Sequence, residues 1–104
     1  MIYVTARFRV NSETFNDSLY AINDHIDYVK TNEPGTLQYV SVNDHDDPFS
    51  FLHFMVFQDE AAEEEHRSSP GGQAFAAGIS PYLVGDVEFK RWREVGSAEN
   101  SAGN

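Results

Sequence analysis

The 104 residues predict an α+β domain with an antiparallel sheet, in the order strand, helix, strand, strand, helix, strand. Three observations carry that class. Segments with a strand's period of two, or rich in β-branched and aromatic residues, occur four times. A helical recurrence at spacings of three and four falls between the first two of them. The length fits one hydrophobic core, and with zero cysteines no disulfide or thiolate metal site adds to it.

From Ile2 to Val10 the residues alternate: Ile2, Val4, Ala6, Phe8 and Val10 share one face, and Tyr3, Thr5, Arg7 and Arg9 the other. Asn11 and Ser12 offer N-cap chemistry, after which Phe15, Leu19, Ile22, Ile26 and Val29 define an amphipathic helix ending near Asn32. Glu33, Pro34 and Gly35 stop it, and Thr36 to Val42 reads as the second strand. The polar turn Asn43 to Pro48 makes a hairpin with Phe49 to Phe57. This third strand carries Phe49, Phe51, His53, Met55 and Phe57 on one face and Leu52, Phe54 and Val56 on the other, so both faces call for burial. Helices of one subunit cover one face, which leaves a second copy of the chain to cover the other.

Asp59 to His66 predicts a short acidic helix with carboxylates at its N-terminus. Ser68 to Gly72 interrupts it, and Gln73 to Ile79 forms a further turn or two carrying Phe75 inward until Pro81. Val84 to Val95 reads as the last strand, with Val87, Phe89, Arg91 and Arg93 on one face. Residues 96–104 have no apolar anchor and are expected to be a flexible tail. The order is the split β-α-β, ferredoxin-like pattern.

Seventeen acidic and seven basic residues give a net charge of −10, which opposes a phosphate backbone or an anionic bilayer, so neither nucleic acid nor membrane is an expected partner. No apolar run approaches the roughly 20 residues of a membrane span, and Met1 is not followed by a basic and then an apolar stretch. The chain is expected to be soluble and cytoplasmic.

Histidines stand at 25, 45, 53 and 66, none paired at a short metal-ligand spacing, and no metal is expected. The acids around His45 lack the spacing and glycine of a calcium loop and read as a solvated turn. Gly71 and Gly72 make no phosphate loop, and no serine sits in a nucleophile elbow. What remains is a pocket argument. His53 shares its strand face with Phe51, Met55 and Phe57, in an aromatic and thioether lining, either as a hydrogen-bonded core residue or as a site residue. His66 ends the acidic helix, a position that suits a histidine through the helix dipole alone. Arg7, Arg9, Arg91 and Arg93 lie on strands that neighbour each other in such a sheet, and either gather to hold an anionic or enolate-like ligand or balance acids.

The Glu33-Pro34-Gly35 turn, and FLHFMVFQDEAAEEEHRSSPGGQAF from Phe51 to Phe75, resemble the antibiotic biosynthesis monooxygenase family, over residues 1–95. Phe57 matches the aromatic that closes the family's strand, Asp59 and Glu60 the acidic helix start, His66 the helix histidine and Ser69-Pro70 the following turn. Two positions depart. Phe57 stands where many members have tryptophan, and Ser69-Pro70-Gly71-Gly72 replaces S/T-P-H-F. The resemblance implies a homodimer of ferredoxin-like subunits forming an α+β barrel, with a ligand pocket between the sheet and helices of each. It also implies a cofactor-independent oxygenase chemistry in which the substrate, as an enolate or phenolate, reduces dioxygen. The expected function is a monooxygenase-like enzyme for a small aromatic, quinol or polyketide-type substrate, without cofactor or metal. His53 and His66 are its expected catalytic residues, and Phe51, Met55, Phe57, Phe75 and Arg7 bind substrate. A non-catalytic dimeric binding protein, and an oxygen-independent isomerase or lyase using the same pocket, are the alternatives.

Overall fold

The computed structural model describes residues 1–100. It is a ferredoxin-like α+β fold. Strand β1 (Ile2–Arg9) leads through a 3-10 turn, capped by the Asn11 side chain on the Glu13 N–H, into α1 (Phe15–Asn32). Strands β2 (Thr36–Asn43) and β3 (Ser50–Phe57) form the hairpin, followed by α2 (Glu60–Ser68), α3 (Pro70–Ile79), a second 3-10 turn and β4 (Glu88–Trp92). The sheet order is β2-β3-β1-β4, and every neighbouring pair is antiparallel. No helix among the described residues is long and apolar enough to cross a membrane.

Two elements differ from expectation. The interruption between α2 and α3 is one residue, not the stretch Ser68 to Gly72. Ser69 is extended and accepts from the Gly72 N–H at 2.9 Å, and Pro70 occupies the first helical turn, where its missing N–H leaves no bond unmade. The last strand covers only Glu88–Trp92 of the Val84 to Val95 segment. Trp92 already faces Tyr3, near the start of β1, so residues beyond it run out of partner. At the other end Gly85, at φ +81°, turns the chain, and the Val84 N–H bonds the Arg9 carbonyl instead. Residues 96–100 form no helix or strand, and 101–104, the rest of the expected flexible tail, lie outside the described residues.

The core is in two parts. Phe8, Val10, Ile22, Phe51 and Ile79 fill one end, while Val4, Ala6, Met55 and Phe57 fill the other. On the opposite face of the sheet, Val40, Val42, Leu52, Phe54, Tyr3 and Trp92 form an apolar surface that no helix among the described residues covers. Val42 and Trp92 stay about half exposed there, at 49% and 51%.

Candidate functional site

The inner face of the sheet and the helices form a half-open cavity of about 1310 Å³, lined by residues of both core clusters. His53, Met55 and Phe57 reach it from β3 because strand periodicity turns alternate residues the same way. His66 comes from α2 and Phe75 from α3, so five of the seven residues singled out in the sequence line one space. Phe51 does not. It is sealed in the first core cluster, stacked on Phe8 at 5.5 Å, with Phe15 at the head of α1 closing that end.

Arg7 is not at the cavity either. It projects to the opposite sheet face, paired in register with Leu52 and Glu88. The antiparallel register sets Arg91 opposite Val4, on the inner face, so the arginines of the first and last strands fall on opposite sides of the sheet and form no common patch. Arg9 bonds Asp47, which holds that carboxyl below the usual carboxylate range. Arg91 instead reaches the cavity rim and pairs with Glu63 of α2.

The polar groups of the cavity form a chain of contacts. His66 Nδ1 lies 2.6 Å from Glu33 Oε1. The Glu33 side chain is deeply buried, and its carboxylate also accepts from Thr36 Oγ1 at 2.9 Å and lies 3.2 Å from Ser69 Oγ. Glu33 therefore ties the end of α1 to α2, α3 and the start of β2. Charge-assisted bonds of this kind, made with several donors, compensate the desolvation of a buried carboxylate. Tyr39 Oη lies 2.7 Å from His53 Nδ1, and its ring stands against His25 at 5.3 Å and His66 at 5.7 Å.

Burial sets the charge states. His53 is pushed down from 6.5 to about 4 by loss of hydration, with His25 adding to the effect. His25 is likewise lowered to about 4, first by burial and then by His66, against smaller opposing effects of Glu33 and Asp24. Burial raises the Tyr39 phenol far above its ordinary value. At neutral pH the cavity thus presents two neutral imidazoles and a neutral phenol beside one carboxylate-held histidine.

Sequence reading missed His25, Tyr39 and Glu33. His25 sits three residues after Ile22 and four before Val29, on the apolar stripe of α1, so its spacing carried a signal. Glu33 was legible only as part of the turn. Tyr39 faces inward because β2 has a register shift between Thr36 and Gln38, which no alternation pattern reveals.

The departures from the expected turn motif have a packing reason. A Cβ on Gly71 would lie 2.3 Å from the Tyr28 ring, and one on Gly72 2.5 Å from the His66 carbonyl. Tyr28 of α1 thus fills the volume a side chain at 71 would need.

An antiparallel sheet with a histidine-bearing cavity under its helices is a class of α+β protein too broad to name a function. The sequence narrows it. The family model for antibiotic biosynthesis monooxygenase matches residues 1–78, and the chain belongs to that family. Among solved structures, one of an antibiotic biosynthesis monooxygenase is similar at 21% identity and TM-score 0.85, covering 92% of this chain and 100% of the other. Rv0793 from Mycobacterium tuberculosis is similar at 20% identity and TM-score 0.84, with 94% and 98% covered. A conserved protein from Methanosarcina mazei gives 19% identity and TM-score 0.83, with 89% and 91% covered. At these identities the likeness is one of fold. No curated protein matches the chain.

Proposed function

We propose that the chain is a cofactor-independent monooxygenase-like enzyme acting on a small aromatic, quinol or polyketide-type substrate. The observation that carries this is the pairing, inside one aromatic-walled cavity, of a Glu33-held histidine with a buried neutral one. A neutral His66 donates its Nδ1–H to Glu33, which leaves Nε2 as the nitrogen free to accept a proton. His66 is therefore the base, taking a proton from a methylene or phenol activated by its own ring system. His53, whose lowered value makes it a poor proton acceptor, hydrogen-bonds the substrate oxygen that gains charge. The carbanion then reduces dioxygen: a methylene becomes a carbonyl, one oxygen atom stays in the product and the other leaves as water, the substrate supplying all four electrons.

The test is oxygen consumption by the metal-stripped protein with anthrone-like compounds and hydroquinones, with ¹⁸O₂ incorporation followed by mass spectrometry. His66→Ala is expected to lower uptake by about 10²-fold or more. Uptake unchanged in a His53→Ala, His66→Ala double variant would sink the assignment of roles. A binding protein without turnover is the second reading, favoured by Gly71 and Tyr28 occupying the place of the family's second motif histidine; ligand binding with no uptake across the panel supports it.

We also infer that the chain is a homodimer joined through the outer sheet face. Val40, Val42, Leu52, Phe54 and Trp92 supply the apolar surface that a second copy would remove from water.

A further inference from the structure

Two fully buried histidine nitrogens at the cavity have no hydrogen-bond partner among the described residues. His53 is 1% exposed and satisfies Nδ1 through Tyr39, while its Nε2 makes no hydrogen bond. His25, 4% exposed, leaves Nδ1 unpaired. Buried polar atoms without partners are few in native proteins, because each forfeits the hydration it had in water. Both residues line the same cavity. Phe75 lies against both rings, its centroid 4.5 Å from His25 in a parallel stack and 6.0 Å from His53. One imidazole comes from α1 and the other from β3, so the two elements bring them to one cavity.

Tyr39 decides what His53 offers. A neutral imidazole carries one N–H. If the Tyr39 hydroxyl donates to Nδ1, the only hydrogen of the pair left over is His53 Nε2–H. In the reverse arrangement the Tyr39 O–H and the Nε2 lone pair are both stranded, and Tyr39 has no other hydrogen-bond partner among the described residues. The first arrangement leaves fewer groups unsatisfied, and it makes His53 a donor.

We propose that His25 and His53 form a two-imidazole subsite for an uncharged ligand oxygen, carbonyl or phenolic, with Tyr39 the positioning residue that fixes His53 as donor at Nε2. This rests on the reading of the cavity as an aromatic-substrate site and adds a charge preference to it. An anion would find most of the cations at the cavity already paired with carboxylates. His66 is paired with Glu33, and at the rim Arg91 faces Glu63 and Arg67 faces Glu64. Lys90 sets its ammonium 4.6 Å over the Trp92 ring. A carboxylate entering between His25 and His53 would lose its hydration without compensation.

The test uses 2-naphthol and 2-naphthoate, which share a ring system and differ in charge at pH 7.5. Calorimetric titration of the full chain is expected to give naphthol a Kd roughly tenfold or more below that of naphthoate. ¹⁵N spectra of the histidine side chains are expected to show His53 as the Nε2–H tautomer, and naphthol to shift both His25 and His53. His25→Phe keeps a ring on Phe75 and is expected to weaken naphthol by roughly five- to tenfold, the share of one hydrogen bond. Tyr39→Phe is expected to move His53 toward the Nδ1–H tautomer, which a merely structural tyrosine would not do. Equal binding of the two probes, unmoved His25 and His53 signals, an Nδ1–H tautomer in the unaltered chain, or no naphthol binding at millimolar concentration each overturns the subsite. The two readings fail separately. Naphthol bound as expected with no dioxygen uptake from any compound removes the oxygenase and leaves the subsite. Uptake with naphthol affinity and KM unchanged in His25→Phe does the reverse.

Discussion

Acid should unfold this protein earlier than its surface charge alone would, because two histidines are buried where protonation is disfavoured. His25 and His53 are lowered from 6.5 to about 4. In the unfolded chain both titrate at their ordinary value. Between these values the unfolded state binds more protons than the folded one, so stability is full above about pH 6.5 and falls as pH drops toward 4. At pH 5 an unfolded histidine is almost entirely protonated and a folded one about a tenth protonated, a difference of about 2 kcal/mol each and about 4 kcal/mol for the pair relative to pH 7. Urea unfolding at pH 7, 6 and 5, at one protein concentration, measures this directly. Other groups titrate in the same window, so the decisive quantity is the comparison with His25→Phe and His53→Phe. Each substitution is expected to remove roughly half of the pair's share of the pH slope. Leaving Tyr39 without its partner in His53→Phe adds a cost that does not depend on pH in this range. Equal slopes in the unaltered chain and both variants would refute the reasoning.

Three further outcomes follow from the packing. Glu33→Gln puts an amide N–H among groups that already donate to the carboxylate, and is expected to cost about 2–4 kcal/mol in urea unfolding; a loss within measurement error would show the His66 pair to be dispensable. Gly71→Ala drives a methyl into the Tyr28 ring and is expected to cost about 1–3 kcal/mol, with much of that recovered in the background of Tyr28→Ala, a non-additivity that a double-mutant cycle reads. Phe54→Asp places a charge in the centre of the outer apolar face, and sedimentation velocity at micromolar concentration is expected to find monomer or aggregate in place of dimer; a stable monomer in the unaltered chain would remove the dimer inference.

The architecture was legible because its signals are local. The alternation from Ile2 to Val10, the stripe from Phe15 to Val29 and the Asn43–Pro48 turn each need only their own segment, and all three stand where expected. The end of the last strand was not local: whether Arg93 to Val95 pair depends on how far β1 extends beside them, which is a property of register. The site divides along the same line. His53, Met55 and Phe57 follow from the parity of one strand, and Phe75 from one helix face. The Glu33 to His66 bond joins residues 33 apart, and neither partner announces the other. Arg7 was misplaced for a related reason. Two strands each show an arginine-rich face, but only the pairing of Arg7 with Glu88 decides that these faces are opposite.

The divided core has a thermodynamic consequence. A chain of 104 residues has little apolar material, and here residues of both clusters line a cavity of about 1310 Å³. A bound ligand would therefore act as the missing middle of the core. At a concentration ten times its Kd a ligand that binds only the folded form adds about 1.4 kcal/mol. In a domain of this size that raises the melting temperature by roughly 5 to 10 °C, where the same affinity in a protein twice as long would give about half as much. Melting curves recorded against a compound collection would thus rank occupants of this cavity without any assay of turnover.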